Sequence, residues 1–140
     1  MDIHSSRSVL EHVPPVELKR ILAEARQVLK PGGRLVHLVD PSDHFSAVDD
    51  GITTIHFLRF SEREWAGYAG NQFAYHNRLR SDDFEALFRE ESLDLLEADY
   101  VTDPRALADL QAGFPLDARF RGRDPERLAQ SRALYVLSPR

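Results

Sequence analysis

Glu11 and His12, adjacent in the stretch "VLEHV", have the side-chain types that general acid–base catalysis uses. An unperturbed imidazole has a pKa of about 6.5, which suits the transfer of a proton from a hydroxyl or an amine near neutral pH. The structural alternative is that both side chains pack and hydrogen bond where a loop joins the following helix. The residue types alone leave both roles open.

The segment from Pro41 to Arg80, called the aromatic segment below, is rich in rings. Its aromatic residues are Phe45, Phe57, Phe60, Trp65, Tyr68, Phe73 and Tyr75, and its histidines are His44, His56 and His76. It follows the carboxyl end of a predicted central strand, where open α/β sheets place their ligands. We therefore expect a lid or wall of a substrate pocket, or a satellite core packed on the sheet, and both descriptions can hold together.

The polar residues of this region do not follow a known metal-binding motif. His44 has Asp43 and Asp49 nearby, which together form an oxygen and nitrogen donor set. Their spacing matches no zinc or iron pattern, so we predict no metal site. Contact with an anionic acceptor is open to Arg59, Tyr75 and Arg78, but surface ion pairing is the more common use of such residues.

Composition excludes several classes of protein. The chain has 140 residues, enough for a single domain, and we expect one domain over 1–140 with 41–80 as an insertion or lid. A net charge of -5 and an isoelectric point near 5.6 give no electrostatic basis for binding nucleic acid. Without cysteine or an apolar run of roughly 18 residues, a cytoplasmic protein with no membrane partner is expected.

The order of the predicted elements is that of an α/β protein. Periodic apolar residues predict a helix from Pro15 to Lys30, which the following Pro-Gly-Gly ends. "RLVHLVD" then predicts a short strand with two apolar faces, as in a parallel sheet covered by helices. His37 in this strand is interpreted as a hydrogen-bonded core or edge residue. A short parallel strand at Ile3 to Ser5 would complete a βαβ unit.

Capping signals predict further helices. They are Ser61 with Glu64, Asp82 with Glu85, Asp103 before Pro104, and Asp124 before Pro125. Apolar runs predict a strand from Leu93 to Tyr100 and a last strand in "RALYVLS". These elements extend the α/β pattern to the end of the sequence.

Three of these stretches resemble the class I S-adenosylmethionine-dependent methyltransferases of the small-molecule type. They are "DIHSSRSVLEHV", "LAEARQVLKPGGRLVHLVD" and "NRLRSDDFEALFREESLDLLEAD". The resemblance is to the C-terminal half of that fold. It implies a partial Rossmann-like, doubly wound α/β sheet equivalent to the last four strands of the family, with the final strand antiparallel.

The resemblance also implies a function, methyl transfer from the cofactor S-adenosylmethionine to a small-molecule acceptor. It places Ser6, Arg7 and Ser8 on the cofactor side, where the alternative for each is a turn role. It places Glu11 and His12 near the methyl-transfer centre. Asp40, His44, Trp65 and Tyr75 fall on the acceptor side, and Asp40 could equally cap the turn at Ser42.

One feature of the family has no counterpart in the sequence. The family binds its cofactor mainly through a glycine-rich loop after its first strand, whereas this chain has no G-x-G arrangement. The strand at Ile3 to Ser5 would then present an unpaired edge. We expect a truncated enzyme, a split enzyme completed by an upstream polypeptide, or a homodimer that covers the edge. The alternative function is a non-catalytic binding or assembly module that keeps the scaffold.

Overall fold

The computed structural model describes residues 1–71 and 74–140, and in this part of the chain four strands form one sheet. The strands are β1 (Ile3–Arg7), β2 (Arg34–Val39), β3 (Leu93–Thr102) and β4 (Gln130–Pro139). Their spatial order is β1-β2-β4-β3. β1 and β2 pair in parallel, and β4 is antiparallel to both β2 and β3. Three strands therefore run in one direction and the final strand runs in the other, which confirms the predicted antiparallel last strand.

Helix α1 (Pro15–Val28) connects β1 to β2 and completes the βαβ unit. Pro15 occupies the first helical position, and Leu18, Leu22 and Ala25 form the buried stripe. The helix ends two residues before the predicted Lys30, because the backbone N–H of Lys30 donates to the carbonyl of Met1 at 2.8 Å. This bond ties the end of α1 to the start of β1.

Helices cover one face of the sheet. The main core joins α1 and α3 (Ser81–Glu90) to β2 and β4, and its largest buried side chains are Leu18, Leu22, Leu35, Phe84, Phe88, Tyr135 and Leu137. On the opposite face Val36 and Leu38 of β2 are only half-buried. The prediction that both faces of β2 are buried is therefore wrong for that second face. His37 lies on the fully buried face and shares a 2.8 Å hydrogen bond with Ser6, which confirms a core histidine.

The aromatic segment packs into a second hydrophobic cluster with α4 (Pro104–Gln111) and α5 (Pro125–Leu128). The segment itself contains α2 (Glu62–Ala69) and 3₁₀ turns at His44–Ala47 and His56–Arg59. The buried members of the second hydrophobic cluster include Ile55, Phe57, Leu58, Trp65 and Phe120. Phe73 lies outside the described residues.

Two buried arginines hold the aromatic segment in place. Arg78 donates to the carbonyls of Phe57 at 2.8 Å and Phe60 at 2.6 Å, and it pairs with Glu62. Arg80 donates to the carbonyl of Pro41. Both side chains are fully buried. The expected contact of Arg78 with an acceptor is therefore wrong, because the side chain is fully buried and bonds to backbone carbonyls. The expected ion pairing is found, with the largely exposed Glu62.

The capping predictions hold at three of the four helices. The Ser61–Glu64 box caps α2, and Asp103 and Asp124 cap α4 and α5. The predicted N-cap at Asp82 is wrong: α3 begins at Ser81, and Asp83 accepts from the backbone N–H of Arg80 at 2.8 Å. The side chain of Glu85 is instead paired with Tyr100 and Arg127.

Candidate functional site

Three imidazole rings meet at the carboxyl end of the parallel strands. The 3₁₀ turn Leu10–His12 follows β1, and the turn His44–Ala47 follows β2. Because β1 and β2 are parallel, these turns lie at the same edge of the sheet. The ring centroids of His12 and His44 are 5.0 Å apart, and His76 lies 5.5 Å and 5.1 Å from them. These three residues are called the histidine cluster below.

The histidine cluster lines one side of a cavity of about 300 Å³. The remaining described lining residues are Asp43, Phe45, Val48, Phe57, Trp65 and Ala74. A second cavity of about 450 Å³ shares Asp43, Phe45, Val48 and Trp65 with the first. Phe57 and Trp65 also belong to the second hydrophobic cluster. The aromatic segment is therefore both a pocket wall and a satellite core.

His12 is oriented by a backbone carbonyl. Its Nδ1 atom lies 2.9 Å from the carbonyl oxygen of Tyr75, which can only accept, so Nδ1 carries the proton in the neutral ring. The Nε2 atom of the neutral ring is then left with a free lone pair. Such an imidazole can accept a proton or bind a cation.

Glu11 is a buried carboxylate next to this imidazole. Its side chain is 0% exposed, and neither carboxylate oxygen has a hydrogen-bond partner within the described residues. Desolvation raises the pKa of Glu11, and the nearby backbone N–H groups of Glu11 and Asp40 and the charge of His12 offset this only in part. The turn that carries it is held by Asn77, whose side chain donates to the carbonyls of Leu10 at 2.7 Å and Val13 at 2.9 Å.

Asp40 and His44 form a second pair of polar side chains at the same edge. Asp40 Oδ2 lies 3.4 Å from His44 Nε2, and its Oδ1 accepts from both the backbone and the hydroxyl of Ser42. Burial alone would raise the pKa of Asp40, but the hydrogen bonds from His44 and Ser42 outweigh it and lower the pKa to about 2. The same contact raises the pKa of His44. Asp40 thus both caps the turn and orients His44.

His76 is the buried member of the cluster. Desolvation, followed by the charge of Arg80, lowers its pKa to about 3, so the ring is neutral at pH 7. Its Nδ1 accepts the backbone N–H of Arg78 at 3.3 Å, and its Nε2 has no hydrogen-bond partner in the described chain. His76 lies in a run of buried polar residues, His76 to Arg78, and this burial leaves no signal in the sequence.

The residues expected on the cofactor side lie on β1 and just after it, away from both cavities. Ser6 Oγ is paired with His37, and Arg7 is exposed. Ser8 has a left-handed backbone (φ 51°), and its N–H donates to the carbonyl of Leu38 at 2.8 Å. No G-x-G loop accompanies these residues in the sequence, and their cofactor-side role stays a prediction.

The structure places only some of the residues expected on the acceptor side at the first cavity. His44 and Trp65 line the first cavity, and Asp40 lies behind His44. Tyr75 lines neither of the two cavities described above. Desolvation and the charge of Glu62 raise the pKa of its hydroxyl, and the charge of Arg119 opposes this. Only its backbone carbonyl reaches the site, at His12. Ligand atoms of His44, Glu11 and His12 lie within 4.8 Å of one another. Asp49, which was expected near His44, instead accepts the backbone N–H of Gly51.

Comparison with known proteins supports the same fold. Residues 1–37 match the family model of a methyltransferase domain. A crystal structure of a protein from Bacillus halodurans C-125, described as a putative methyltransferase, superposes with a TM-score of 0.54 at 14% identity. The match covers 99% of this chain and 64% of that one, so the chain spans less than two-thirds of its relative's length.

Two further results complete the comparison. A protein from Bordetella parapertussis, described as a possible exported protein, matches with a TM-score of 0.47 at 14% identity, over 99% of this chain and 39% of that one. No curated protein matches the sequence. Among the described residues, none of the helices has the length and hydropathy needed to cross a membrane.

One fold accounts for three observations: the order and direction of the four strands, the family-model match and the similarity to the Bacillus halodurans structure. The chain has the Rossmann-like fold of the class I methyltransferases, over the part of that fold that ends with the antiparallel strand.

Proposed function

We propose that this chain supplies the acceptor side of an S-adenosylmethionine-dependent methyltransferase that acts on a small molecule. The observation that carries the proposal is the cavity at the carboxyl ends of β1 and β2, which combines apolar rings with the histidine cluster. A concave, mostly apolar pocket with a few convergent polar groups and shifted pKa values is the usual character of a small-molecule site.

The cavity suits an acceptor with an apolar, ring-sized body. Its described walls include the rings of Phe45, Phe57 and Trp65, and a volume of about 300 Å³ accommodates a molecule of about that size. The polar groups converge on one side, where an acceptor hydroxyl or amine would face His12 and His44. We therefore expect the acceptor to be an aromatic or alicyclic compound with one nucleophilic oxygen or nitrogen.

The roles of the chain's own residues follow from their contacts. S-adenosylmethionine, when bound, supplies an electrophilic methyl group. His12, held by Tyr75, takes the proton of the acceptor on Nε2, and the carboxylate of Glu11 stabilises the resulting imidazolium. The aromatic walls orient the acceptor and exclude water. Orientation of the acceptor towards the methyl group raises the rate of transfer by proximity.

The proposed cofactor side borders β1. The outer edge of β1 is unpaired among the described residues, and Ile3 is 62% exposed on it. An exposed edge of this kind pairs readily with another strand. We propose that a complementary upstream polypeptide or a second copy of the chain covers this edge and, in the first case, brings the glycine-rich loop.

Calorimetric titration with S-adenosylmethionine tests this proposal, first on the chain alone and then with the upstream polypeptide. We expect no binding or millimolar binding alone and tighter binding with the partner. Methyl transfer from labelled cofactor to a panel of phenols and amines should then fall about 10²-fold or more in His12→Gln and remain unchanged in His56→Gln. Absence of cofactor binding under every condition would overturn the proposal and favour a non-catalytic binding module.

A further inference from the structure

We propose that Glu11, His12 and His44 form a binding site for one divalent transition-metal ion at the edge of the first cavity. Each of the three residues offers one ligand atom, and these atoms lie within 4.8 Å of one another. The turns after β1 and β2 bring them together, although His44 is far from the other two in sequence. The test of the site does not depend on methyl transfer, and the site goes beyond the proposed function.

The strongest support is the state of Glu11. A buried carboxylate normally accepts several hydrogen bonds, because an ionised group without partners is costly to remove from water. Both oxygens of Glu11 lack a partner among residues 1–71 and 74–140, and the side chain is fully buried. A cation between Glu11 and the two imidazoles would neutralise this charge and occupy the free oxygens.

The two imidazoles have the supporting contacts that metal-binding histidines usually have. Such a histidine donates its second ring N–H to a carbonyl or a carboxylate, which orients the ring and raises its basicity. His12 has the carbonyl of Tyr75 at 2.9 Å, and His44 has the carboxylate of Asp40 at 3.4 Å. Both rings are exposed, so an ion has access to them from the cavity side.

The donor set indicates which ions would bind. Two imidazole nitrogens and one carboxylate oxygen suit Zn²⁺, Fe²⁺, Mn²⁺ and Co²⁺, whereas Mg²⁺ and Ca²⁺ prefer oxygen ligands. Ligand atoms around such an ion are about 3 to 3.5 Å apart when the metal–ligand distance is about 2.1 Å. The observed spread of 4.8 Å therefore requires the side chains to move closer together when the ion binds, and this movement falls on the exposed rings of His12 and His44 rather than on the buried Glu11.

Three protein ligands leave a coordination position open, as in catalytic rather than structural metal sites. The position adjoins the cavity that His12 and His44 line. An acceptor hydroxyl bound there would lose its proton to solvent more readily, because the cation lowers the pKa of a bound oxygen acid. His12 would then act as a metal ligand instead of a base. The loss of the acceptor's proton at the metal is the one step of this inference that depends on the proposed function.

Metal binding is measured on the full chain, stripped with a chelator, by Co²⁺ absorption titration and Zn²⁺ calorimetry without S-adenosylmethionine. We expect one ion per chain, at least tenfold weaker binding in Glu11→Gln and His44→Gln, and unchanged binding in His56→Gln and Asp49→Asn. Excess Mg²⁺ should not compete. His44 is exposed, so His44→Gln tests the site even if Glu11→Gln alters folding.

Two outcomes would overturn the metal proposal. One is the absence of a stoichiometric ion, and the other is equal binding in the ligand variants and the controls. Neither outcome bears on cofactor binding, which is measured separately by titration with S-adenosylmethionine. Failure of the metal site is thus distinguishable from failure of the proposed methyl transfer.

Discussion

The Nδ1 atom of His12 lies 2.9 Å from the carbonyl oxygen of Tyr75 and joins the turn after β1 to the far end of the aromatic segment. Asn77 makes the same connection from the other side, through the carbonyls of Leu10 and Val13. The turn that carries Glu11 and His12 is therefore held by residues more than 60 positions away. The position of the site depends on these long-range hydrogen bonds.

Removal of the Asn77 side chain should loosen this turn. Asn77→Ala removes the side-chain donor of the Val13 carbonyl and the acceptor of the Leu79 N–H, whereas the Leu10 carbonyl keeps the N–H of Val13. Each unsatisfied buried group costs roughly 1 to 3 kcal/mol. We expect the free energy of unfolding to fall by about 2 to 4 kcal/mol in denaturant titrations. Gln111→Ala, at an exposed amide, is the control and should change it by less than about 0.5 kcal/mol. Equal effects in the two variants would show that the turn is held by other contacts.

Arg78 should not tolerate replacement by lysine. The guanidinium makes two hydrogen bonds to carbonyls and one to Glu62 from a fully buried position, and an ammonium on a flexible stem cannot reproduce this fork. We expect Arg78→Lys to lose roughly 2 to 4 kcal/mol, mainly from the carbonyl bonds, because Glu62 is largely exposed. Arg63→Lys on the exposed side of α2 should be neutral in the same thermal and denaturant scans.

The stability of the protein should fall in mild acid through His37. Burial, followed by the charge of His4, lowers the pKa of His37 from 6.5 to about 4, while the unfolded chain keeps the ordinary value. Between these pH values the unfolded state binds more protons, so the free energy of unfolding decreases as the pH falls from 6.5 towards 4. The loss from this residue approaches about 3 kcal/mol.

Denaturant titrations of the wild type and His37→Gln across this pH range isolate the contribution of His37. The variant should show a smaller decrease than the wild type, because glutamine does not titrate. His4 is a titratable neighbour of this ring, with ring centroids 5.5 Å apart, and Tyr135 is its register partner on β4. Ser6 shares a hydrogen bond with Nδ1. Parallel pH curves for the two proteins would contradict the prediction.

Phe45 offers a test of the cavity that leaves the core intact. It lines both cavities yet is 47% exposed, so Phe45→Ala should change stability by less than about 1 kcal/mol. Trp65, the only tryptophan in the sequence, lines the same cavities, and small phenols should quench its fluorescence on binding. We expect several-fold weaker quenching constants in Phe45→Ala than in Val16→Ala, an exposed control on α1. Identical constants would mean that the ligand does not enter this cavity.

Local sequence was sufficient for the elements that local interactions determine. The α1 stripe, the β2 strand and the caps at Ser61, Asp103 and Asp124 depend on residues a few positions apart, so their patterns are visible in sequence. The N-cap of α3 was displaced by two residues, because Arg80 is fixed by the distant carbonyl of Pro41. Its partner lies 39 residues away and leaves no local signal.

The candidate site was predictable only in part. The sequence by itself determined that imidazoles, a carboxylate and aromatic rings follow the two parallel strands, because residue types and strand patterns are local properties. Only the tertiary structure decided that Glu11, His12 and His44 share one edge while Tyr75 reaches this edge through its backbone carbonyl. The physical reason is that these contacts depend on parallel pairing of β1 with β2 and on buried hydrogen bonds across the aromatic segment.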